Sequence, residues 1–187
     1  MARTPFIAFL RLSCALSLLV LIAVTPGMAR AAGAAPASIS GQDVNGHSVA
    51  LNGKGHYTVV MYTNPDLEDD SRKMTLALDP YRSRSDFALV RVVDLRGNVP
   101  PQMRSMVRVE IRKEQAKECA RLKKAGVSGN SGPIIPDFSG STLNALGWDS
   151  VYDQLSVVIY DPQGKEIKRL SDVSSPKQVT AVLGAIL

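Results

Sequence analysis

A β-branched apolar run that breaks into an acidic helix start constrains this chain more than any other stretch. Tyr57-Thr58-Val59-Val60-Met61-Tyr62 favours a pleated, enclosed surface, and Asn64-Pro65 follows it directly. Asn64 can cap a helix. Pro65 suits the first helical position because its missing N–H would have no partner there anyway. The predicted helix runs to about Leu78, where Asp79-Pro80 stops it. Met74, Ala77 and Leu78 then face a sheet while Arg72 and Lys73 stay in water. In α/β folds such a strand end and helix start commonly form the working site. Here that corner holds Asp66, Glu68, Asp69 and Asp70.

The amino-terminal residues 1–31 read as an export signal. Arg3 and Arg11 give a positive start, Leu12 to Val24 is apolar, and Ala29-Arg30-Ala31 offers small residues around a cleavage point. The apolar run is shorter than the ~20 residues a membrane helix needs. No membrane span is expected after cleavage, and a periplasmic or secreted location follows. Cleavage after Ala31 leaves 156 of the 187 residues, enough for one domain over 39–187 behind a flexible leader at 32–38. Three of the 22 basic residues leave with the signal. The remaining 19 stand against 17 acidic residues, a net charge of about +2 that does not point to nucleic acid. Of two cysteines, Cys14 leaves too, so Cys119 has no intrachain disulfide partner.

The order of elements follows from turn residues and periodicity. Asp43-Val44-Asn45-Gly46 before Ser48-Val49-Ala50-Leu51 reads as a hairpin. Phe87 to Val93 is a second strong strand, joined to the first through a helix and therefore parallel to it. Met103 to Lys124 reads as a long helix with Val107, Ile111, Cys119 and Leu122 along one side, ended by Gly126. Residues 126–149 look irregular, with a short helix at Ser141 to Leu146. A hairpin follows, Leu155 to Tyr160 and Lys165 to Leu170 around Asp161-Pro162-Gln163-Gly164, and Pro176 opens a last helix.

That order resembles the thioredoxin-like superfamily, with Gly46 and Leu51 before the first core strand and Asp161 to Lys165 after the strand at 155–160. The likeness is to its secreted bacterial TlpA-type members and more loosely to YtfJ-like periplasmic proteins. The resemblance implies an α/β, three-layer fold, a central mixed β-sheet with helices on both faces and an N-terminal β-hairpin. In redox members a Cys-x-x-Cys pair sits at the first helix start, where N–H groups and the helix dipole stabilise a thiolate. Aligned here, that pair falls near Asp66-Leu67-Glu68-Asp69, and neither position is cysteine. The family's proline before its third core strand is replaced by Gln154-Leu155.

The site expected from these residues is a contact corner rather than a reaction centre. Asn64, Pro65, Asp66, Glu68 and Asp69 are its candidates, with Trp148 from the loop beside them and an envelope protein as partner. Carboxylates at a helix start complement the dipole, and their spacing lacks a calcium-loop pattern, so no metal and no cofactor are expected. The long helix carries Arg104, Arg108 and Arg112 at four-residue spacing, read as a solvated face or, alternatively, a surface for an anionic partner. Cys119 is expected to be a buried, structural thiol. The alternative is a single-cysteine peroxidase or reductase using Cys119.

Overall fold

The computed structural model describes residues 37–129, 131–148 and 155–187. The expected signal, most of the leader and Gln154 lie outside them. Five strands build the main sheet: β3 (Tyr57–Thr63), β4 (Phe87–Asp94), β5 (Ile134–Asp137), β6 (Ser156–Tyr160) and β7 (Glu166–Leu170), in the order β5-β4-β3-β6-β7. β3 is central. It pairs parallel to β4 and antiparallel to β6, while β5 adds parallel to β4 and β7 adds antiparallel to β6. A separate hairpin, β1 (Ser40–Gln42) and β2 (Ser48–Ala50), precedes it.

Strand alternation sends residues of opposite parity to opposite faces. Val60, Tyr62, Val90, Val92, Val158 and Tyr160 meet Leu51, Trp148, Leu143 and Leu146 on one face. Leu143 belongs to the short α4 (Ser141–Ala145). On the other face Val59, Met61, Leu89, Val157 and Ile159 meet Met74 and Leu78 together with Val179 and Leu183. These come from α1 (Glu68–Ala77) with its C-cap, and from α5 (Pro176–Ile186). Helices thus cover both faces, as the resemblance implies. Each fully buried aliphatic side chain contributes roughly 1.5–3 kcal/mol of burial free energy.

Local chemistry fixes the ends of these elements. Asp43 Oδ1 accepts the backbone N–H groups of Asn45 and His47 in the first hairpin, and Asp161 Oδ1 does the same for Gln163 and Lys165 in the last. Ser175 and Gln178 form a reciprocal capping box at the start of α5.

Two predicted boundaries differ. A single 3-10 turn, Pro65–Leu67, precedes α1, and Asp79-Pro80 does not simply stop the chain but opens a second short helix, α2 (Asp79–Arg82). Proline is tolerated in a first helical turn, where its missing N–H costs nothing. The irregular stretch expected at 126–149 contains β5. Pro136 hides it from a sequence reading, yet an edge strand tolerates proline. Gly132 leads into it with φ +72°, and a Cβ there would lie 2.0 Å from the Leu89 carbonyl oxygen, so only glycine lets β5 approach β4.

Candidate functional site

The strand-to-helix corner forms as its residues dictate. Asn64 is buried, and its side-chain oxygen accepts the Leu67 N–H at 3.1 Å. Pro65, Asp66, Glu68 and Asp69 are exposed. The carboxylates turn back along their own helix: Arg72 lies 3.0 Å from Asp69 and 3.7 Å from Glu68, and Lys73 lies 2.9 Å from Asp70. Such exposed pairs are screened by water and contribute little to stability.

What the corner faces was not predicted. A groove of about 800 Å³ opens between α1 and α3 (Arg104–Lys124) over the β4 and β5 side of the sheet. Asn64, Pro65 and Glu68 border it at one end, with Arg72 and Leu76 further along α1. Its floor is Arg91, Val93 and Leu95 with Ile134 of β5. Val107, Ile111, Glu118 and Arg121 form the α3 wall. That volume falls in the range of small-molecule pockets.

A buried ionic cluster closes one end. Glu118 bridges two guanidinium groups, Nη1 of Arg82 and Nη1 of Arg91, each at 2.6 Å. Arg121 grips Asp79 with both terminal nitrogens, at 2.6 and 3.0 Å, and Arg82 Nε lies 3.8 Å from the same Asp79. Burial foremost holds the Arg91 pKa below the usual arginine value. Arg82 adds repulsion, and Glu118 pulls the other way. Among the described residues, Arg82 Nε and Nη2 and Arg91 Nε are buried without hydrogen-bond acceptors.

The other candidates fall outside the groove. Trp148 lies in the core on the opposite sheet face, edge-on to Tyr62 at 5.7 Å, with the Arg169 guanidinium 5.0 Å above its ring. An apolar ring of that size is drawn under the loop rather than left at the contact corner. Arg104 and Arg108 do not form the expected solvated face. Both stack on the Phe138 ring, at 5.2 and 5.3 Å, and Arg108 donates to the Asp43 carbonyl at 3.1 Å, while Arg112 points into solvent. Four-residue spacing drifts around a helix, so the three arginines do not share one environment.

Cys119 corrects a further expectation, since it is exposed rather than buried. Its Sγ lies 3.2 Å from Ser131 Oγ. Ser131 precedes the amino end of β5, whereas Asn64 follows the carboxyl end of β3, and the two strands run the same way on either side of β4. The thiol therefore sits at the opposite end of the sheet from the first helix start.

Arg91 and Glu118 were the residues a sequence reading missed. One signal was present: Arg91 interrupts an otherwise apolar strand, and a charge inside such a run requires a buried partner. Which of the many acids supplies it was not legible.

Similarity searching of the sequence against protein-family models and curated proteins finds no match. Solved structures do match in fold. The exposed lipoprotein thioredoxin of Streptococcus pneumoniae aligns at 16% identity over 80% of this chain and 100% of its own, with a TM-score of 0.54. A DsbF homologue from Corynebacterium diphtheriae aligns at 14% identity over 80% and 84%, with a TM-score of 0.53. A thiol-disulfide oxidoreductase from Bacteroides fragilis gives 16% identity over 83% and 100%, with a TM-score of 0.52. The chain has the thioredoxin-like fold.

Proposed function

We propose that the protein is an exported thioredoxin-like domain that has lost thiol-disulfide chemistry and works as a binding or accessory module in the cell envelope. One observation carries this reading. The first helix start, where the fold's redox chemistry would need a thiolate, presents Asp66, Glu68 and Asp69, and the one cysteine beyond the expected signal lies at the far end of the sheet. Disulfide exchange needs an attacking thiolate and a second thiol to resolve the mixed disulfide, and the mature chain supplies only Cys119. The purified mature protein is expected not to reduce insulin with dithiothreitol as electron source. Turnover above the background of dithiothreitol alone would sink the proposal. Export has its own test: amino-terminal sequencing of envelope material should begin near Ala32, and intact Met1 on a cytoplasmic species would overturn it.

Exposure of Cys119 favours a second reading, a single-cysteine peroxidase or reductase. A thiol probe should label Cys119 in the native protein at a rate close to that in denaturant. Peroxide consumption lost in Cys119→Ser would favour that enzyme; labelling without consumption supports the binding module.

A further inference from the structure

The groove between α1 and α3 is divided along its length. At one end Val93, Leu95, Val107 and Ile111 line it, on the side of Asn64 and Pro65, where two carboxylates of the lining, Glu68 and Glu110, are exposed and paired with Arg72 and Lys113. At the other end lie Arg91 and Arg121, because β4 and α3 run in opposite directions past each other: Arg91 precedes Leu95 on the strand, and Arg121 follows Ile111 on the helix. From Arg91 to Leu95 the strand spans roughly 13 Å at ~3.3 Å per residue.

The polar end carries unbalanced charge. Arg82, Arg91 and Arg121 pair with two carboxylates, Glu118 and Asp79. Lys117 at the rim is matched by Glu114, so it neither adds to nor cancels that excess. Burial foremost depresses the Arg91 pKa; Glu118 opposes the shift and Arg82 adds to it. Of the guanidinium N–H groups buried there without an acceptor among the described residues, the Arg91 Nε belongs to a side chain that lines the groove, and such groups are uncommon.

We propose that the groove binds a free monoanionic amphiphile, a carboxylate with an unbranched apolar tail, its head beside Arg91 and Arg121 and its tail along Val93, Leu95 and Ile111. One added negative charge would balance three guanidinium groups against three anions, and the tail would cover strand surface that neither helix reaches. The inference deepens the reading of the protein as a binding module and names the class of ligand that module takes.

Decanoate is the probe, titrated below its micelle concentration into the mature domain by calorimetry, with methyl shifts followed by NMR. Saturable binding is expected, with shifts at Val93, Ile111 and Leu76. Decanol, which keeps the tail without the charge, and decyltrimethylammonium, which reverses it, should bind at least tenfold more weakly. Ile111→Asp should weaken decanoate at least tenfold by placing a carboxylate in the tail path, and Arg121→Gln should do so at the head. Circular dichroism identifies a variant that fails to fold, and the ligand series on the unaltered domain decides the matter without either. Absence of saturation, equal affinity for all three amphiphiles, or shifts confined to another surface would overturn the proposal. So would recruitment to phosphatidylglycerol vesicles without binding of free decanoate, which would mark a membrane surface instead. Insulin reduction, by contrast, would end the non-redox reading and leave the decanoate result standing.

Discussion

α5 and α3 both pack against the sheet, by different means. α5 is 11 residues long and places Val179 and Leu183 wholly inside the core, so burial of an apolar stripe sets its position. α3 is 21 residues long and buries only Leu122. Its inward residues, Arg104, Arg108, Ile111, Gln115, Glu118 and Leu122, recur at alternating steps of four and three, the spacing of a packed seam, yet most are polar. It is held by directional contacts: Arg108 to the Asp43 carbonyl, Gln115 to the Gly132 carbonyl at 2.7 Å, and Glu118 to two arginines. An apolar seam draws a helix down until no gap remains, whereas point contacts can hold one beside the sheet and leave a groove.

The largest test of this contrast is Glu118→Ala. Removing one partner from a buried ionic cluster leaves the others uncompensated, and a loss of about 3–5 kcal/mol is expected in urea unfolding. The companion variant combines Arg82→Met, Glu118→Leu and Arg91→Met. If α3 needs contact there rather than charge, it should be neutral or more stable by about 1–4 kcal/mol. A loss equal to that of Glu118→Ala would instead show that the charges themselves position the helix.

Leu183→Ala is the counterpart on α5, expected to cost about 2–5 kcal/mol through lost burial and a residual cavity. Its cost should not change with salt. A strong salt dependence would break the distinction between the two helices.

Polar docking also occurs beneath the other face, where Asp94 receives the Arg96 guanidinium at 2.7 Å and the Arg96 backbone N–H at 3.0 Å. Burial pushes the Asp94 pKa upward, but those bonds outweigh it and hold the carboxyl below the usual aspartate value. The folded value thus lies under the unfolded one. The stabilisation is complete above the unfolded pKa and is lost as pH falls through the folded one. Asp94→Asn should lose about 1.5–3 kcal/mol near neutral pH, and less in acid, where the parent loses the same contribution. Urea midpoints followed from neutral to acid pH measure this; a constant difference across that range would contradict it.

The smallest effects separate two arginines of one helix. Arg108→Ala loses a hydrogen bond and a stack on Phe138 and should cost about 1 kcal/mol. Arg112→Ala, in solvent, should stay within about 0.5 kcal/mol. Equal melting temperatures for the two would mean that the inward face of α3 contributes nothing.

These contrasts also explain how far the chain could be read without its structure. β3 and β4 were legible because both are dominated by apolar and β-branched residues, the two hairpins because Asn45-Gly46 and Asp161 to Gly164 specify turns, and α5 because a proline start precedes an apolar stripe. β5 was not, since four residues containing Pro136 carry too little periodicity to be told from a loop. Nor was the environment of Cys119, because a helix without a clear apolar face gives no sign of which side is turned inward.

By itself, then, the sequence determined the order of the strands and helices other than β5 and α2, the Asn64 cap and the acidic first turn of the first helix, since each depends on neighbours in the chain. The tertiary structure alone decided that Trp148 belongs to the core, that Glu118 reaches Arg82 and Arg91, and that a groove separates α1 from α3. Those outcomes join residues tens of positions apart. Apolar periodicity records which face of an element is buried, but an ion pair leaves no periodic trace of its partner, so its geometry exists only once the elements have packed.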